Sequence, residues 1–87
     1  MRRTRVKICG ITTSEDAKLA CLSGADSIGL NFYPKSKRKV SLRDAREIAG
    51  SVPPFVSKVG LFVNPSAANV KEVIQSVPLD ILQFHGQ

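Results

Sequence analysis

Four segments of the chain alternate apolar with small or polar residues, and three segments between them repeat apolar residues at helical spacing. The two-residue period predicts strands over Arg5–Cys9, Ser27–Phe32, Val56–Val63 and Leu79–His85. The helical segments begin at hydroxyl caps and end at glycine or proline. The caps are Thr13, Ser41 and Ser66, and the ends are Gly24, Gly50 and Pro78. The predicted element order is therefore βαβαβαβ.

This order implies a parallel sheet, because right-handed helical crossovers place successive strands side by side with helices packed on the sheet. The two predicted strand faces differ. One is strongly apolar, and the other is assigned Cys9, Gly29, Asn31, Gly60 and Gln83. A barrel gives this contrast, because its helices cover the outer face while its strand ends enclose small or polar groups. The prediction is an α/β barrel architecture.

Length and composition indicate one small globular unit spanning residues 1–87, of which 43% are hydrophobic. No apolar run is long enough to span a bilayer, and we expect a soluble, cytoplasmic protein. The two cysteines, Cys9 and Cys21, lack C-x-x-C spacing, which favours reduced thiols over a disulfide or a zinc site. Cys21 lies on the apolar stripe of the first helix, where core packing is its expected role.

The formal net charge of +6 implies an anionic partner. The excess is concentrated in two clusters, Arg2–Lys7 and Lys35–Lys39. Nucleic acid, a phosphorylated metabolite and a carboxylate substrate fit this charge equally, because charge reports sign and not shape.

Groups that hydrogen-bond or transfer protons recur near the carboxyl ends of the predicted strands. These are Cys9, Asn31, Asn64, Gln83 and His85. That edge of a parallel barrel is where active sites form, so strand parity favours a shared pocket. The plainer alternatives are that Cys9 is a small buried hydrophobe and that His85 is satisfied by a backbone partner. Asn31, Asn64 and Asp80 are expected to be structural.

Four motifs follow one another along the chain: V-K-I-C-G-I-T at Val6–Thr12, S-G-A-D at Ser23–Asp26, N-F-Y-P-K-S-K-R at Asn31–Arg38 and L-Q-F-H-G at Leu82–Gly86. Together and in this order, they resemble the phosphoribosylanthranilate isomerase family of tryptophan biosynthesis. The resemblance implies a (β/α)8 TIM barrel, of which this chain is the first half: strands 1 to 4 with helices 1 to 3. It also implies an aldose-ketose isomerase that performs an Amadori rearrangement on a substrate carrying phosphate and carboxylate, with no metal or organic cofactor.

The resemblance implies roles for individual residues. Cys9 matches the general base that removes the proton from ribose C2, and Arg38 matches the arginine that holds the anthranilate carboxylate. Gln83 and His85 match positions that line the same pocket. From strand parity, Lys7 shares the face of Cys9, and its ammonium would favour the thiolate if both side chains point into the barrel. The plainer alternative, which the residues alone favour, is a surface lysine on an edge strand. Gly10 is expected to serve a turn with positive φ and the close approach of substrate.

The chain departs from the family in length. A family member has roughly 200 residues, about what eight βα units need. The aspartate that acts as general acid and the phosphate-binding loops of the family have no counterpart in residues 1–87. We therefore expect a half-barrel fragment that is inactive alone.

Two other functions fit parts of the sequence. A basic nucleic-acid-binding module would use the two charge clusters, although no recognised motif supports it and only 6% of residues are aromatic. A self-associating scaffold would pair with another half-barrel through the edges of strands 1 and 4 and an inner face assigned Gly29, Phe62 and Ile81. On this interpretation the isolated chain is dimeric, aggregated or poorly folded.

Overall fold

A computed structural model describes residues 5–86 of the chain. Its elements are β1 (Lys7–Ile8), α1 (Ser14–Leu22), β2 (Ser27–Asn31), α2 (Leu42–Ser51), β3 (Ser57–Val63), α3 (Ala67–Ser76) and β4 (Ile81–His85). The strands form one parallel sheet in the order β1-β2-β3-β4. The predicted element order is confirmed. The part of the first charge cluster at Arg2–Thr4 lies outside the described residues.

The predicted helix caps are confirmed by side-chain hydrogen bonds. The hydroxyl of each cap accepts from the backbone N–H three residues on: Thr13 from Asp16 at 3.1 Å, Ser41 from Asp44 at 3.0 Å and Ser66 from Asn69 at 3.0 Å. Each bond satisfies an N–H that the first helical turn leaves without a partner. The predicted end of α2 is wrong by one residue, because the helix continues past Gly50 to Ser51.

The core lies between one face of the sheet and the three helices. Ile28, Leu30 and Phe62 project from this face and are almost completely buried. The Phe62 ring stacks between the rings of Phe32 and Phe84, with centroid distances of 5.4 and 5.5 Å. The helices supply mostly small or branched residues, which lets them approach the sheet closely. These are Ala17, Ala20, Ala45, Ile48, Ala49 and Val73, and Val77, directly after α3, is buried with them.

Two predicted face assignments are wrong. Gly60 pairs in register with Leu30 and Leu82, so it belongs to the face covered by helices, and Phe62 lies on that same face. A Cβ at Gly60 would lie 2.6 Å from Cδ1 of Leu79. The missing side chain therefore makes room for a large apolar neighbour in the core, rather than marking the polar interior as the sequence pattern suggested.

The opposite face of the sheet is concave. The Lys7 ammonium on β1 donates a hydrogen bond to the side-chain oxygen of Gln83 on β4. Neighbouring strands lie about 4.8 Å apart, so three intervals of a flat sheet would separate these strands by about 14 Å. The hydrogen bond between side chains of the two outermost strands therefore indicates that the sheet curves strongly toward this inner face. The sequential strand order and helices on the outer face are those of a barrel and not of a doubly wound sheet, whose order reverses.

Aspartates clamp the amino-terminal ends of the strands in pairs. The Asp26 carboxylate accepts from Val6 N at 2.7 Å, and the Asp80 carboxylate accepts from Lys58 N at 2.8 Å. In both cases the aspartate's own N–H donates to the carbonyl of the same partner residue, at 2.8 Å. The Lys58 N–H lowers the pKa of Asp80, and the Lys58 ammonium, 3.1 Å away, contributes in the same direction.

Replacing Asp80 with alanine removes the carboxylate that accepts from Lys58 N. We expect the free energy of unfolding at pH 7 to fall by about 1 kcal/mol, a modest amount because the Asp80 side chain is half exposed and solvent screens its charge. Because the folded-state pKa lies below the ordinary value of 3.8, the contribution is present above that value and lost as the pH falls through the folded-state pKa. Denaturant unfolding at several pH values measures this contribution to the free energy of unfolding.

Glu72→Gln on the exposed face of α3 is the control. Equal effects of both variants on stability would contradict the clamp.

No helix within residues 5–86 has the combination of length and apolar character needed to cross a membrane.

Candidate active site

The thiol of Cys9 lies on the inner face immediately after β1, in the space left by a glycine on β2. A Cβ at Gly29 would lie 3.4 Å from Cys9 Sγ, 3.3 Å from Cys9 Cα and 3.3 Å from Leu61 Cδ1. Gly29 is itself buried, whereas Cys9 is exposed. The absence of a side chain at Gly29 thus lets the thiol lie against the β2 backbone. Sequence reasoning did not select Gly29 as a site residue, although a glycine inside a strand is a sign of such close approach.

The turn after Cys9 is anchored to the same glycine. The backbone N–H groups of Gly10 and Ile11 both donate to the carbonyl oxygen of Gly29, at 3.1 and 3.2 Å. Gly10 has a φ of +76°, a conformation that residues with a side chain rarely adopt. This is the positive φ expected of Gly10 from the sequence. The turn therefore fixes the direction in which the chain leaves Cys9.

Arg38 lies directly over Gly10. A Cβ at Gly10 would lie 2.6 Å from Cδ and 3.1 Å from Nη1 of Arg38, so the side chain occupies the space that a residue other than glycine would fill. Two hydrogen bonds shape the loop that carries it. Arg38 N donates to the Ser36 hydroxyl at 3.1 Å, and Val40 N donates to the carbonyl of Asn31 at 2.9 Å. The guanidinium, itself exposed, is thereby brought beside the residue that follows the thiol.

A second group of side chains comes from β1 and β4. Gln83 and His85 are paired in register with Leu61 and Val63, on the inner face as predicted. The side-chain amide nitrogen of Gln83 lies 3.4 Å from Nε2 of His85, while its oxygen accepts from the Lys7 ammonium. Lys7 thus reaches across the concave face to β4.

The structure places the six predicted site residues in two groups, with Arg38 on the loop after β2 and the other five on, or directly after, β1 and β4. Cys9, Gly10 and Arg38 form the first, and Lys7, Gln83 and His85 form the second. The two asparagines have local backbone roles, as expected. The Asn31 side chain accepts from Tyr33 N at 2.9 Å, and Asn64, with a φ of +44°, donates its N–H to the carbonyl of His85 at 3.1 Å.

The site is electropositive. Lys7 and Arg38 contribute cations, and the inner-face positions of β1 to β4 carry no carboxylate. Such a wall favours an anionic ligand. Within residues 5–86, no group of three or more His, Cys, Asp or Glu side chains is placed to hold a metal ion.

A cavity of about 380 Å³ lies at the other end of the sheet. It is lined by Arg5, Asp26, Phe55 and Ser57, at the amino-terminal ends of the strands. In parallel barrels that end serves stability, and chemistry is carried out at the carboxyl ends. The open wall around Cys9 is therefore the better candidate for an active site.

Comparison with known proteins agrees with this geometry. A family model described as N-(5'phosphoribosyl)anthranilate (PRA) isomerase matches residues 6–87. The N-(5'-phosphoribosyl)anthranilate isomerase of Stutzerimonas stutzeri is 61% identical over 82 residues, which are 94% of this chain and 40% of that protein. The chain thus spans about two-fifths of the length of this relative.

Solved structures give the same result. The phosphoribosyl anthranilate isomerase of Thermotoga maritima superposes with a TM-score of 0.93 at 50% identity, over 98% of this chain and 42% of that one. A second isomerase structure, bound to reduced 1-(o-carboxyphenylamino)-1-deoxyribulose 5-phosphate, also gives a TM-score of 0.93 at 50% identity, over 98% of this chain and 44% of that one. The α/β fold, with four strands and three helices from the first half of a TIM barrel, is confirmed. The chain belongs to the N-(5'-phosphoribosyl)anthranilate isomerase family.

Proposed function

We propose that this chain forms the thiol-bearing half of an isomerase that converts N-(5'-phosphoribosyl)anthranilate into 1-(2-carboxyphenylamino)-1-deoxyribulose 5-phosphate. The observation that carries the proposal is the packing of Arg38 against Gly10, the residue that directly follows Cys9. It brings a cation able to bind a carboxylate close to the proposed base. This pairing suits a substrate whose reacting carbon, C2, lies one carbon from the nitrogen that carries an aromatic carboxylate.

Arg38 orients the substrate. Its planar guanidinium can hold the anthranilate carboxylate with two parallel hydrogen bonds, which fixes both position and rotation. Because Arg38 lies over Gly10, the bound ring would stand beside Cys9. Gln83 and His85, at the far side of the concave face, would contact the sugar through side-chain hydrogen bonds.

Cys9 then acts as the general base. Protonation of the ring oxygen breaks its bond to C1 and leaves an iminium between C1 and the anthranilate nitrogen. The thiolate of Cys9 removes the proton from C2, and the electron pair of that C–H bond forms the C1–C2 double bond as the iminium is neutralised. Return of a proton to C1 and loss of the C2 hydroxyl proton give the ketone. The sequence is an internal redox exchange that needs no cofactor.

The reaction also requires a general acid and a phosphate-binding site. The proton given to the ring oxygen requires an acid, and the inner-face positions of β1 to β4 contain no carboxylate. The phosphate site of this fold is built from loops late in the barrel. We infer that both come from the part of the barrel that the longer relatives possess and this chain does not cover.

Activity is tested in the full-length barrel, meaning a protein of its relatives' length that begins with these 87 residues. In D2O it is expected to isomerise N-(5'-phosphoribosyl)anthranilate and to place one deuterium at C1 of the product, as measured by mass spectrometry and NMR. Absence of isomerisation would contradict the function. A product without deuterium would contradict transfer through an exchangeable base.

Gly29→Ala is expected to lower kcat about tenfold in the full-length barrel. The added methyl group would press on Cα of Cys9 and Cδ1 of Leu61, each 3.3 Å away, and misplacing a catalytic group by a fraction of an ångström is costly. Steady-state kinetics measures the change. Gly50→Ala is the matched control, because a Cβ at Gly50 meets no atom within 4 Å. An unchanged kcat in Gly29→Ala would show that the glycine does not position the thiol.

We also propose that the 87-residue chain self-associates when produced alone. β1 and β4 each have one strand neighbour, and Ile81 and Phe84 on β4 are about half exposed. Unpaired strand edges beside apolar surface favour pairing with a second half-barrel. Light scattering is expected to give at least twice the chain mass of 9.4 kDa. A cooperatively unfolding species of 9.4 kDa would contradict this.

A further inference from the structure

The hydrogen bonds that join Lys7, Gln83 and His85 have a direction that their chemistry dictates. An ammonium group only donates, so the Gln83 atom facing Lys7 must be the amide oxygen. The other end of the amide is then the nitrogen, which also only donates. The side chain of Gln83 is therefore held in one of its two flipped orientations by a charge on another strand.

The orientation of the Gln83 amide also determines the role of His85 in their hydrogen bond. Its Nε2 lies 3.4 Å from the Gln83 amide nitrogen, so Nε2 must act as the acceptor. In a neutral imidazole the ring nitrogen that accepts carries no proton, and the proton is on the other nitrogen. We propose that Lys7 and Gln83 are positioning residues that hold His85 as the Nδ1–H tautomer, which presents this N–H as a donor to a substrate oxygen.

This arrangement differs from the state of a free histidine. Imidazole side chains in water favour the Nε2–H tautomer, so a predominance of Nδ1–H requires a specific contact such as this one. A fixed donor at the end of β4 is complementary to a ligand rich in hydroxyl, carboxylate and phosphate oxygens. Only the choice of substrate oxygen as acceptor rests on the proposed function, because the tautomer follows from contacts within the chain.

The tautomer is measurable by long-range proton–nitrogen NMR of ¹⁵N-histidine in the full-length barrel, at a pH where the imidazole is neutral. The His85 signals are assigned by their loss in His85→Asn. The wild type is expected to show predominantly Nδ1–H. Gln83→Glu should move the proton to Nε2, because a carboxylate accepts from both Lys7 and His85. Lys7→Met should give a mixture, because the amide is then free to flip.

Lys18→Met, which removes an exposed lysine from α1, is the matched control and should leave the wild-type tautomer unchanged. A wild-type His85 in the Nε2–H form would overturn the proposal, as would an unchanged tautomer in Gln83→Glu. Gln83→Met serves as a second variant without added charge, and it should restore the Nε2–H preference of free imidazole.

Kinetics separates this proposal from the proposed function. If Gln83 acts through His85, Gln83→Met should lower kcat/KM in the wild type and have no further effect in a His85→Asn background. Additive losses in the two variants would contradict the positioning role. An inactive wild type that still shows the Nδ1–H tautomer would contradict the function alone.

Discussion

Cys9→Ser in the full-length barrel is expected to lower kcat by about 10²- to 10⁴-fold, the usual contribution of a positioned general base. Serine preserves the size and position of the side chain, but its hydroxyl is far less acidic than a thiol and supplies no anion to remove the C2 proton. The exposed location of Cys9 on the inner face leaves the sulfur accessible to substrate. Steady-state kinetics with N-(5'-phosphoribosyl)anthranilate measures the loss.

Binding must persist for this result to identify a base. The reduced product analogue held by one solved isomerase should bind Cys9→Ser with nearly the wild-type Kd, measured by calorimetry. Cys21→Ser is the control, because Cys21 is the half-buried second thiol, on α1 outside the sheet. Turnover of Cys9→Ser close to the wild-type rate would remove Cys9 from the mechanism.

Gly10→Ala is expected to raise KM about 10- to 100-fold. The new Cβ would lie 2.6 Å from Cδ of Arg38, so the arginine would have to move, and the hydrogen bonds that we propose it makes to the substrate carboxylate would be lost. Hydrogen bonds to a charged group contribute about 1.5–3 kcal/mol, which corresponds to this range. Kinetics with the carboxylate substrate, compared with Arg38→Ala, tests whether the two changes act on the same interaction.

The control for Gly10→Ala separates the steric clash from backbone strain. Gly24 also has a positive φ, of +95°, yet a Cβ there meets no atom within 4 Å. Gly24→Ala should therefore lower stability through strain while leaving KM unchanged. If both variants raise KM equally, strain rather than the displacement of Arg38 is responsible.

The fold was largely predictable because its signals are local. The caps at Thr13, Ser41 and Ser66 each need only a hydroxyl and a nearby N–H, and strand parity placed Gln83 and His85 on the correct face. The assignments of Gly60 and Phe62 failed because β3 is apolar on both faces, with Val59 and Phe62 both buried, so its residue pattern does not show which face the helices cover. The environment of Gly60 is decided by Leu79, which comes from a different segment of the chain.

The sequence indicated where the candidate site residues lie, but not which contacts they make. Strand ends marked Cys9 and His85, and the family resemblance marked Arg38. The packing of Arg38 on Gly10 depends on the path of a loop, which residue periodicity does not encode. The partner of Lys7 depends on the curvature of the whole sheet, so sequence reasoning placed its ammonium by the thiol, whereas the structure places it on Gln83. The effect of Lys7 on the thiolate stays a prediction.

The contact between Lys7 and Gln83 joins the two outermost strands of one continuous sheet. Asp26 ties the amino-terminal end of β2 to β1 through its carboxylate and to β3 through its carbonyl, which accepts from Ser57 N at 3.0 Å. Five paired positions then hold β2 to β3. A flatter sheet would keep these neighbouring-strand bonds and yet separate Lys7 from Gln83, so this contact reports the curvature of the whole sheet.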